Sequence, residues 1–322
     1  MRNRPLTERP HPRWRNLDQK STLELLRLLN HEDQRVPFAV ARAIPAIARA
    51  VDAITAGLSR GGRLIYAGAG TSGRLGALDA AECRPTFGLT DKQVLALLAG
   101  RRRALDHAVE GAEDSARNGA REMARVGAGR KDVVVGIAAS GTTPYVGGAL
   151  GEARRRGAKT VLVTTNPRPA LARLADITIV ADVGPEVLAG STRMKSGTAQ
   201  KLVLNMLTTA AMARLGRVYD NRMIYVALNN VKLRTRALEL LADLAGVRES
   251  EARRALALAE RVPVALVMLK TGVERAEAER RLRGAGGNVR KAIAMGVAEG
   301  AAASGEKSPA RGRRQGRVKR HG

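Results

Sequence analysis

Short apolar runs alternate with longer mixed segments through the middle of the chain. The runs are rich in Val, Ile and Leu, which is typical of parallel strands buried on both faces. The pattern predicts strands over residues 63–67, 93–98, 132–137, 160–164 and 177–181, and crossover helices over residues 77–82, 104–126, 145–156 and 170–174. The predicted fold class is therefore α/β, with a parallel sheet flanked by helices.

Helical patterns precede and follow this series. Ser21, with Glu24 three residues later, forms a capping-box pattern at the start of a helical region over residues 21–58. Further long helices are predicted over 197–216 and 222–243. We expect a basic N-terminal arm at 1–20, a sheet domain at 21–245, a small three-helix domain at 246–298 and a basic disordered tail at 299–322.

Composition narrows the classes of protein that the chain can belong to. It has 322 residues, 44% of them hydrophobic, which is enough for a substantial core. No apolar run approaches the roughly 18 to 20 residues that cross a bilayer, and the N-terminus has no apolar signal-peptide region. The single cysteine, Cys83, excludes an internal disulfide and fits a reducing compartment. We expect a cytoplasmic protein without a membrane partner.

The net charge of +26 raises the question of nucleic acid binding. Aromatic residues make up only 2% of the chain, which leaves little material for a base-stacking platform. Much of the charge also lies in the first and last sixteen residues, where it predicts disordered arms. A solvated Arg-rich surface is the favoured interpretation, and polyanion binding stays open as an alternative.

Three hydroxyl-rich loops are the main chemical feature of the sequence. Two follow the first and third predicted strands, where ligands bind in open α/β sheets. Helix N-termini with Ser and Thr hydroxyls suit a phosphate. One such loop alone is better explained by helix capping, but the three together favour a shared phosphate-bearing ligand. The candidate ligands are Gly70, Thr71, Ser72, Gly73, Ser140, Gly141, Thr142, Thr143, Ser191, Arg193 and Lys195.

The first loop also matches a dinucleotide-binding fingerprint through Gly68, Gly70 and Gly73. That fingerprint expects an acidic residue about 20 positions on, at the end of the second strand. Here Asp91 precedes that strand, and Arg101 follows it. An NADP-binding protein therefore remains only a minor alternative.

Two glutamates near the predicted ligand edge are candidates for acid/base chemistry. Glu82 lies at the end of the helix after the first loop, and Glu113 lies in the segment after the second strand. A pair of carboxyl groups can divide the roles of acid and base when their surroundings separate their pKa values. Judged by the residues alone, ordinary surface charge is the favoured interpretation, and acid/base catalysis is the alternative.

Four segments together resemble the N-acetylmuramic acid 6-phosphate etherases. They are LIYAGAGTSGRLGALDAAECRPTFG at 64–88, AVEGAEDS at 108–115, VVVGIAASGTTPYV at 133–146 and GSTRMKSGTAQKLVLNML at 190–207. The resemblance extends from about residue 6 to about residue 293. It implies the sugar isomerase (SIS) fold, which is shared with the glucokinase regulatory protein, and it implies that the sheet domain is catalytic.

The resemblance also implies an activity. The family cleaves the D-lactyl ether at C3 of N-acetylmuramate 6-phosphate by elimination followed by water addition, in peptidoglycan recycling. Glu82 matches the proton donor to the departing lactate, and Glu113 matches the second acid/base, which takes the C2 proton. A homodimer with no metal or organic cofactor is implied. A non-catalytic sugar-phosphate sensor is the alternative, although it would not need both glutamates.

Three positions depart from the family's pattern. Arg84 replaces the first of two prolines after Glu82 and Cys83, and Thr142 replaces an arginine in the second loop. Val231 stands where the family has a glutamate. Both catalytic glutamates remain, so the departures bear on substrate preference and on closure of the pocket.

Overall fold

A five-stranded parallel sheet forms the centre of the computed structural model, which describes residues 6–107, 109–226, 228 and 231–295. The strands are β1 Leu64–Gly68, β2 Val94–Leu98, β3 Val133–Ile137, β4 Lys159–Thr164 and β5 Ile177–Val180. Their order in the sheet is β2-β1-β3-β4-β5. Each agrees with its predicted range to within one residue at either end, so the predicted strands are confirmed.

Helices cover both faces of this sheet. The helices that precede, connect and follow the strands are α1 Thr22–Asp33, α2 Val36–Ser59, α3 Gly70–Phe87, α4 Arg103–Asp106, α5 Ala116–Arg125, α6 Pro144–Arg155 and α7 Lys195–Arg214. Alternate strand residues point to opposite faces, so Tyr66 joins the core under α2, α3 and α7, whereas Ile65 joins the core under α5 and α6. The predicted capping box of Ser21 and Glu24 is present at the start of α1.

The strand order creates a switch point in the sheet. From β1 the chain moves to β2 on one side, and from β3 it moves to β4 on the other. The loops after β1 and β3 therefore diverge and leave a crevice at the carboxyl ends of these two adjacent strands. Open α/β sheets bind ligands in this place.

Two crossover predictions were wrong in extent. The helix predicted over 77–82 is α3, which already begins at Gly70, because the residues of the first hydroxyl loop themselves form its first turn. The helix predicted over 104–126 is broken into α4, a 3-10 turn over Ala112–Asp114, and α5. The helix first ends before His107, whose backbone is extended. Two further interruptions follow, at Gly111, whose φ of 68° is left-handed, and at Ser115, which caps α5.

The N-terminal segment packs against the body of the protein from residue 6 onward. Thr7 and His11 are buried, and the indole of Trp14 donates a hydrogen bond of 3.0 Å to the carboxylate of Glu32. The backbone of Gly190 donates to the carbonyl of Thr7 at 2.9 Å. These contacts differ from the disordered arm expected from the charge pattern. Residues 1–5 lie outside the described residues.

A second core lies in the C-terminal part of the chain. The helix predicted over 222–243 begins later than expected, because Arg222–Met223 pair as a strand, β7, with β6 at Val218–Tyr219. The helices are α8 Val231–Ala245, α9 Glu249–Ala259, α10 Val262–Thr271 and α11 Arg275–Gly284. Leu241 of α8 packs in the same core as residues of α9 and α10, so this core extends across residue 246. The domain boundary at residue 246 stays a prediction. The predicted tail at 299–322 lies outside the described residues.

In the described part of the chain, no helix combines the length and the apolar character needed to span a bilayer.

Candidate active site

The first hydroxyl loop forms the start of α3, where Gly70 is exposed and Thr71 and Ser72 are half-buried. The residue before the helix is Ala69, which has no side-chain oxygen, so the hydroxyls of Thr71 and Ser72 are not N-caps. They lie instead in the first turn, where the backbone N–H groups have no partner within the helix. A Cβ atom on Gly73 would lie 2.7 Å from the carbonyl oxygen of Gly68, so a glycine is needed there. The first loop therefore offers N–H groups and hydroxyls to an anion.

The second hydroxyl loop lies at the end of the adjacent strand β3. The hydroxyl oxygens of Ser140 and Thr142 are 2.9 Å apart, and the backbone N–H of Thr142 donates to Ser140 Oγ at 3.3 Å. Gly141 has a φ of 68°. Thr143 precedes α6, yet its side chain makes no capping hydrogen bond among the described residues. Capping therefore explains neither loop.

The third hydroxyl stretch leads into α7, whose first turns lie beside the first loop. Gly197 faces Thr71, because a Cβ atom on Gly197 would lie 3.5 Å from Thr71 Cγ2. Ser72 Oγ donates to the side-chain oxygen of Gln200 at 2.9 Å. Ser191 is half-buried and Arg193 is exposed in the approach to α7.

Lys195 does not belong with the phosphate ligands. Its ammonium nitrogen lies 2.6 Å from the carboxylate of Glu32, and both side chains are almost fully buried. The backbone N–H groups of Lys195 and Ser196 donate to the buried carboxylate of Glu186. The start of α7 is thus already capped by a carboxylate, and the charge of Lys195 is already paired. We correct the predicted set by removing this residue.

The electrostatics of Glu32 follow from this arrangement. Burial alone would raise its pKa, but hydrogen bonds from Lys195 and Trp14, together with nearby cations, outweigh burial and lower the pKa to about 2. Glu32 is therefore ionised at neutral pH, and it anchors α1, α7 and the N-terminal segment to one another.

Glu82 lies far along α3 from the first loop. It follows Gly70 by twelve residues in one helix, and a rise of about 1.5 Å per residue puts it about 18 Å away along the axis. Its side chain is exposed. Leu78, one turn earlier, is 55% exposed. A single chain therefore does not bring Glu82 and the first loop together.

A buried polar network fixes the part of α3 that carries Glu82. The carboxylate of Asp79 accepts hydrogen bonds from Tyr66 at 2.8 Å, Asn205 at 2.8 Å and Thr208 at 3.2 Å. Burial raises the pKa of Asp79 despite these donors. The network ties α3 to both β1 and α7.

The thiol of Cys83, the neighbour of Glu82, is unreactive. Burial, with the nearby Asp79 carboxylate, raises the pKa of this thiol to about 12. The thiol is therefore protonated at neutral pH and is not a nucleophile.

Glu113 lies on the 3-10 turn between α4 and α5, with its side chain exposed. This turn packs against α6, the helix that follows the second hydroxyl loop. The guanidinium of Arg74, which directly follows the first turn of α3, donates to the carbonyls of Ala104 at 2.9 Å and His107 at 3.1 Å. Arg74 therefore ties the segment that leads to Glu113 to the first loop.

Several supporting residues were missed by the sequence analysis. Asn166 donates to the carbonyl of Ser140 at 2.7 Å and holds the second loop. Glu32 and Glu186 hold the start of α7, and Gln200 of α7 accepts a hydrogen bond from Ser72. Only Arg74 and Gln200 lie inside the recognised motifs, and no spacing rule distinguishes them from surface residues. Among the described residues, no group of three His, Cys, Asp or Glu side chains is placed to hold a metal ion.

Comparison with known families agrees with this architecture. Residues 46–154 match the profile of the glucokinase regulatory protein N-terminal SIS domain, and residues 107–210 match that of the SIS domain. Together with the parallel sheet and its flanking helices, these matches identify the fold as SIS-type.

Solved structures with a similar chain path share little sequence with this chain. A phosphoheptose isomerase from Francisella tularensis is 18% identical, with a TM-score of 0.46, over 60% of this chain and 100% of that one. The Vibrio vulnificus NanR protein, solved as a complex with ManNAc-6P, is 16% identical, with a TM-score of 0.43, over 60% of this chain and 64% of that one.

Relatives with much higher identity carry one name. An N-acetylmuramic acid 6-phosphate etherase from Cutibacterium acnes is 50% identical over 292 residues, which are 90% of this chain and 96% of that protein. The protein of the same name from Aeromonas hydrophila is 49% identical over 283 residues, which are 88% of this chain and 95% of that protein. The chain belongs to the N-acetylmuramic acid 6-phosphate etherase family.

Proposed function

We propose that this protein cleaves the D-lactyl ether of N-acetylmuramate 6-phosphate and releases N-acetylglucosamine 6-phosphate and D-lactate, as a step of peptidoglycan recycling. The observation that carries the proposal is the crevice at the switch point, where two helix N-termini without side-chain caps are bordered by hydroxyls. This crevice suits the phosphate of a sugar, and near-full-length relatives at about half identity are named for this activity.

In this proposal the crevice holds the phosphate. The N–H groups of the first turn of α3 and the hydroxyls of Thr71, Ser72 and Ser140 supply hydrogen bonds to the phosphate oxygens. Hydrogen bonds to an ionised acceptor are shorter and stronger than neutral ones. The uncapped N-terminus of α3 adds a favourable dipole. Arg193 lies exposed on the approach and offers a further cation.

The carboxyl groups of Glu82 and Glu113 would carry the chemistry. With the sugar in its open aldehyde form, the carboxylate of Glu113 takes the proton from C2. The C3–O bond then breaks, and Glu82 gives its proton to the ether oxygen of the leaving D-lactate. Glu113 then releases the C2 proton to solvent. Water adds at C3 of the unsaturated aldehyde, Glu113 takes a proton from this water, and solvent supplies the proton at C2. Solvent returns a proton to Glu82 and takes the last one from Glu113, which restores both carboxyl groups. Each step needs one positioned acid or base.

We further propose that the active unit is a homodimer in the cytoplasm. Glu82 lies about 18 Å along α3 from the first loop of its own chain, which is longer than a single sugar phosphate. The exposed Leu78, one turn from Glu82, and the exposed Met206 of α7 mark a surface that a second copy would cover. In this arrangement Glu82 acts at the crevice of the partner subunit.

A non-catalytic sugar-phosphate sensor is the competing function. It would use the same crevice, and one of the matched profiles is that of a regulatory protein. The shared name of the near-full-length relatives favours the enzyme, as does the retention of both glutamates. Release of D-lactate from N-acetylmuramate 6-phosphate by the purified chain distinguishes the two functions.

The phosphate site leads to a binding prediction. Replacing Ser72 or Ser140 with alanine is expected to weaken binding of N-acetylglucosamine 6-phosphate about tenfold to a hundredfold. Each change removes a hydrogen bond to a charged acceptor, which is worth roughly 1.5 to 3 kcal/mol. Isothermal titration calorimetry measures the change.

Ser59→Ala is the matched control, because this exposed serine ends α2 at the opposite edge of the sheet. Its affinity should equal that of the wild type. Equal binding of N-acetylglucosamine and its 6-phosphate by the wild-type protein would show that the loops are not a phosphate site.

A further inference from the structure

One buried amide next to the first loop is incompletely paired. Gln200 lies in the second turn of α7 and is only 1% exposed. Its side-chain oxygen accepts a hydrogen bond of 2.9 Å from Ser72 Oγ. Among the buried side-chain nitrogen and oxygen atoms of the described residues, Gln200 Nε2 is the one without a hydrogen-bond partner. Buried polar groups are almost always paired, so this exception requires a reason.

The helix that carries this amide is held firmly in place. The carboxylate of Glu186 caps the start of α7, Lys195 pairs with Glu32, and Ser196 Oγ lies 3.0 Å from Thr165 Oγ1. Gln200 thus reaches Ser72 from a rigid support. Because it is buried, it cannot contact a ligand in the crevice itself.

Proton counting limits what Ser72 can do in this arrangement. A serine hydroxyl has a single proton. While Ser72 donates that proton to Gln200, it has none to offer to a phosphate oxygen. Turning the amide by 180° exchanges its oxygen and nitrogen at nearly the same positions. Gln200 Nε2 would then donate to Ser72 Oγ, and the proton of Ser72 would be free to point into the crevice.

We propose that Gln200 is a positioning residue of the phosphate site, whose side-chain amide donates to Ser72 Oγ and thereby directs the proton of Ser72 to the phosphate of the bound sugar. The inference rests on the proposed function, because it requires a phosphate at the first loop. It explains why an amide, and not an aliphatic side chain, is buried beside this serine.

Two substitutions of Gln200 with side chains of similar shape show whether residue 200 must donate a hydrogen bond to Ser72 or only accept one. Gln200→Leu removes both hydrogen-bonding atoms. Gln200→Glu keeps the shape, and its carboxyl group donates only while it is protonated. We expect the dissociation constant of N-acetylglucosamine 6-phosphate to rise about tenfold in Gln200→Leu at every pH. KM for N-acetylmuramate 6-phosphate should rise in parallel, while kcat changes less than about threefold.

The pH profile of Gln200→Glu is the distinguishing measurement. Relative to wild type at the same pH, its affinity should approach the wild-type value near pH 5 and fall below that of Gln200→Leu near pH 8. The ionised carboxylate holds the proton of Ser72 and repels the phosphate. An affinity of Gln200→Glu equal to the wild type at pH 8 would overturn the inference, because a residue that only accepts would then suffice.

A double-mutant cycle tests whether Gln200 acts through Ser72. In a Ser72→Ala background, Gln200→Leu should change the affinity less than about twofold. An undiminished tenfold loss in that background would show that Gln200 acts by another route. If Gln200→Leu does not fold, Gln200→Met takes its place in the cycle, and Gln200→Glu still provides the pH profile.

Gln93→Leu is the matched control. Its amide accepts a hydrogen bond from the hydroxyl of Thr90 at 3.3 Å at the opposite edge of the sheet, so its loss should leave both the dissociation constant and KM unchanged. Comparison of the wild-type affinities for N-acetylglucosamine and its 6-phosphate separates the two proposals. If the wild type does not discriminate, the phosphate site itself fails. If it discriminates and the Gln200 variants match it, only the role of Gln200 fails.

Discussion

Replacing Glu82 or Glu113 with glutamine is expected to lower turnover of N-acetylmuramate 6-phosphate by at least about 10² to 10⁴-fold, the contribution of one positioned acid or base. Glutamine keeps the size of the side chain but neither takes up nor releases a proton at neutral pH. Both side chains are exposed in the single chain, so fold and product affinity should stay intact. Steady-state release of D-lactate measures the loss, and calorimetric binding of N-acetylglucosamine 6-phosphate checks the site.

The two variants should differ in proton exchange. In deuterated water, Glu113→Gln should no longer exchange the C2 proton of the substrate, because the base is missing. Glu82→Gln should still exchange it slowly, because the proton can leave and return before lactate departs. If Glu113→Gln exchanged the C2 proton and Glu82→Gln did not, the roles of the two glutamates would be reversed.

Two further variants test the assignment and its geometry. Glu110→Gln is the control, because Glu110 is an exposed neighbour with no assigned role. If Glu110→Gln abolishes turnover and Glu113→Gln does not, the wrong glutamate has been chosen.

Mixing Glu82→Gln with Ser72→Ala under conditions of subunit exchange should restore part of the activity, since mixed dimers contain one intact site. No recovery despite exchange would place Glu82 in the site of its own chain.

The second large effect concerns stability. Glu32→Gln is expected to lower the free energy of unfolding by about 3 to 5 kcal/mol, because it leaves the buried ammonium of Lys195 without a counter-charge. Urea unfolding followed by circular dichroism measures the loss. Glu249→Gln is the control. It removes an exposed pair with Arg253, which is worth less than about 1 kcal/mol.

The sign of the pH dependence follows from the lowered pKa of Glu32. A carboxyl group with a pKa of about 2 in the folded state and near 4.5 when unfolded stabilises the fold above pH 4.5 and loses this contribution as the pH falls toward 2. The difference between wild type and Glu32→Gln should therefore shrink between pH 5 and pH 3. A constant difference would show that the effect is one of packing. The other charged or titratable groups facing Glu32 are His11, Arg35 and Lys195.

The sheet could be predicted from the sequence because its three central strands, β1, β3 and β4, are buried on both faces. Each strand is a continuous apolar run between polar loops, and the position of a run in the sequence almost fixes its ends. Helix ends were harder to predict. Residues 70–73 were predicted to lie in a loop before the helix, yet they form the first turn of α3. The segment after β2 has a helical pattern, but the extended His107, the left-handed Gly111 and the Ser115 cap interrupt it.

The candidate site was predicted in its local parts and not in its long-range ones. The two loops could be located because strand ends in a parallel sheet share one edge. The pairing of Lys195 with Glu32 joins residues 163 positions apart, so no local sequence pattern predicts it. The position of Glu82 relative to the loops depends on the length of α3, which was predicted as only six residues. Because the full length of α3 separates Glu82 from the first loop of its own chain, the proposal of a second subunit depends on that length.

The measurement that tests the central claim most directly is the reaction of wild-type protein with N-acetylmuramate 6-phosphate in deuterated, ¹⁸O-labelled water, in the presence of EDTA. Elimination followed by water addition predicts release of unlabelled D-lactate. The N-acetylglucosamine 6-phosphate formed should carry deuterium at C2 and ¹⁸O at C3, because the C3–O bond breaks and water replaces lactate. Absence of lactate would contradict the etherase assignment. Lactate that carries ¹⁸O at its hydroxyl, or a product with only hydrogen at C2, would contradict the mechanism.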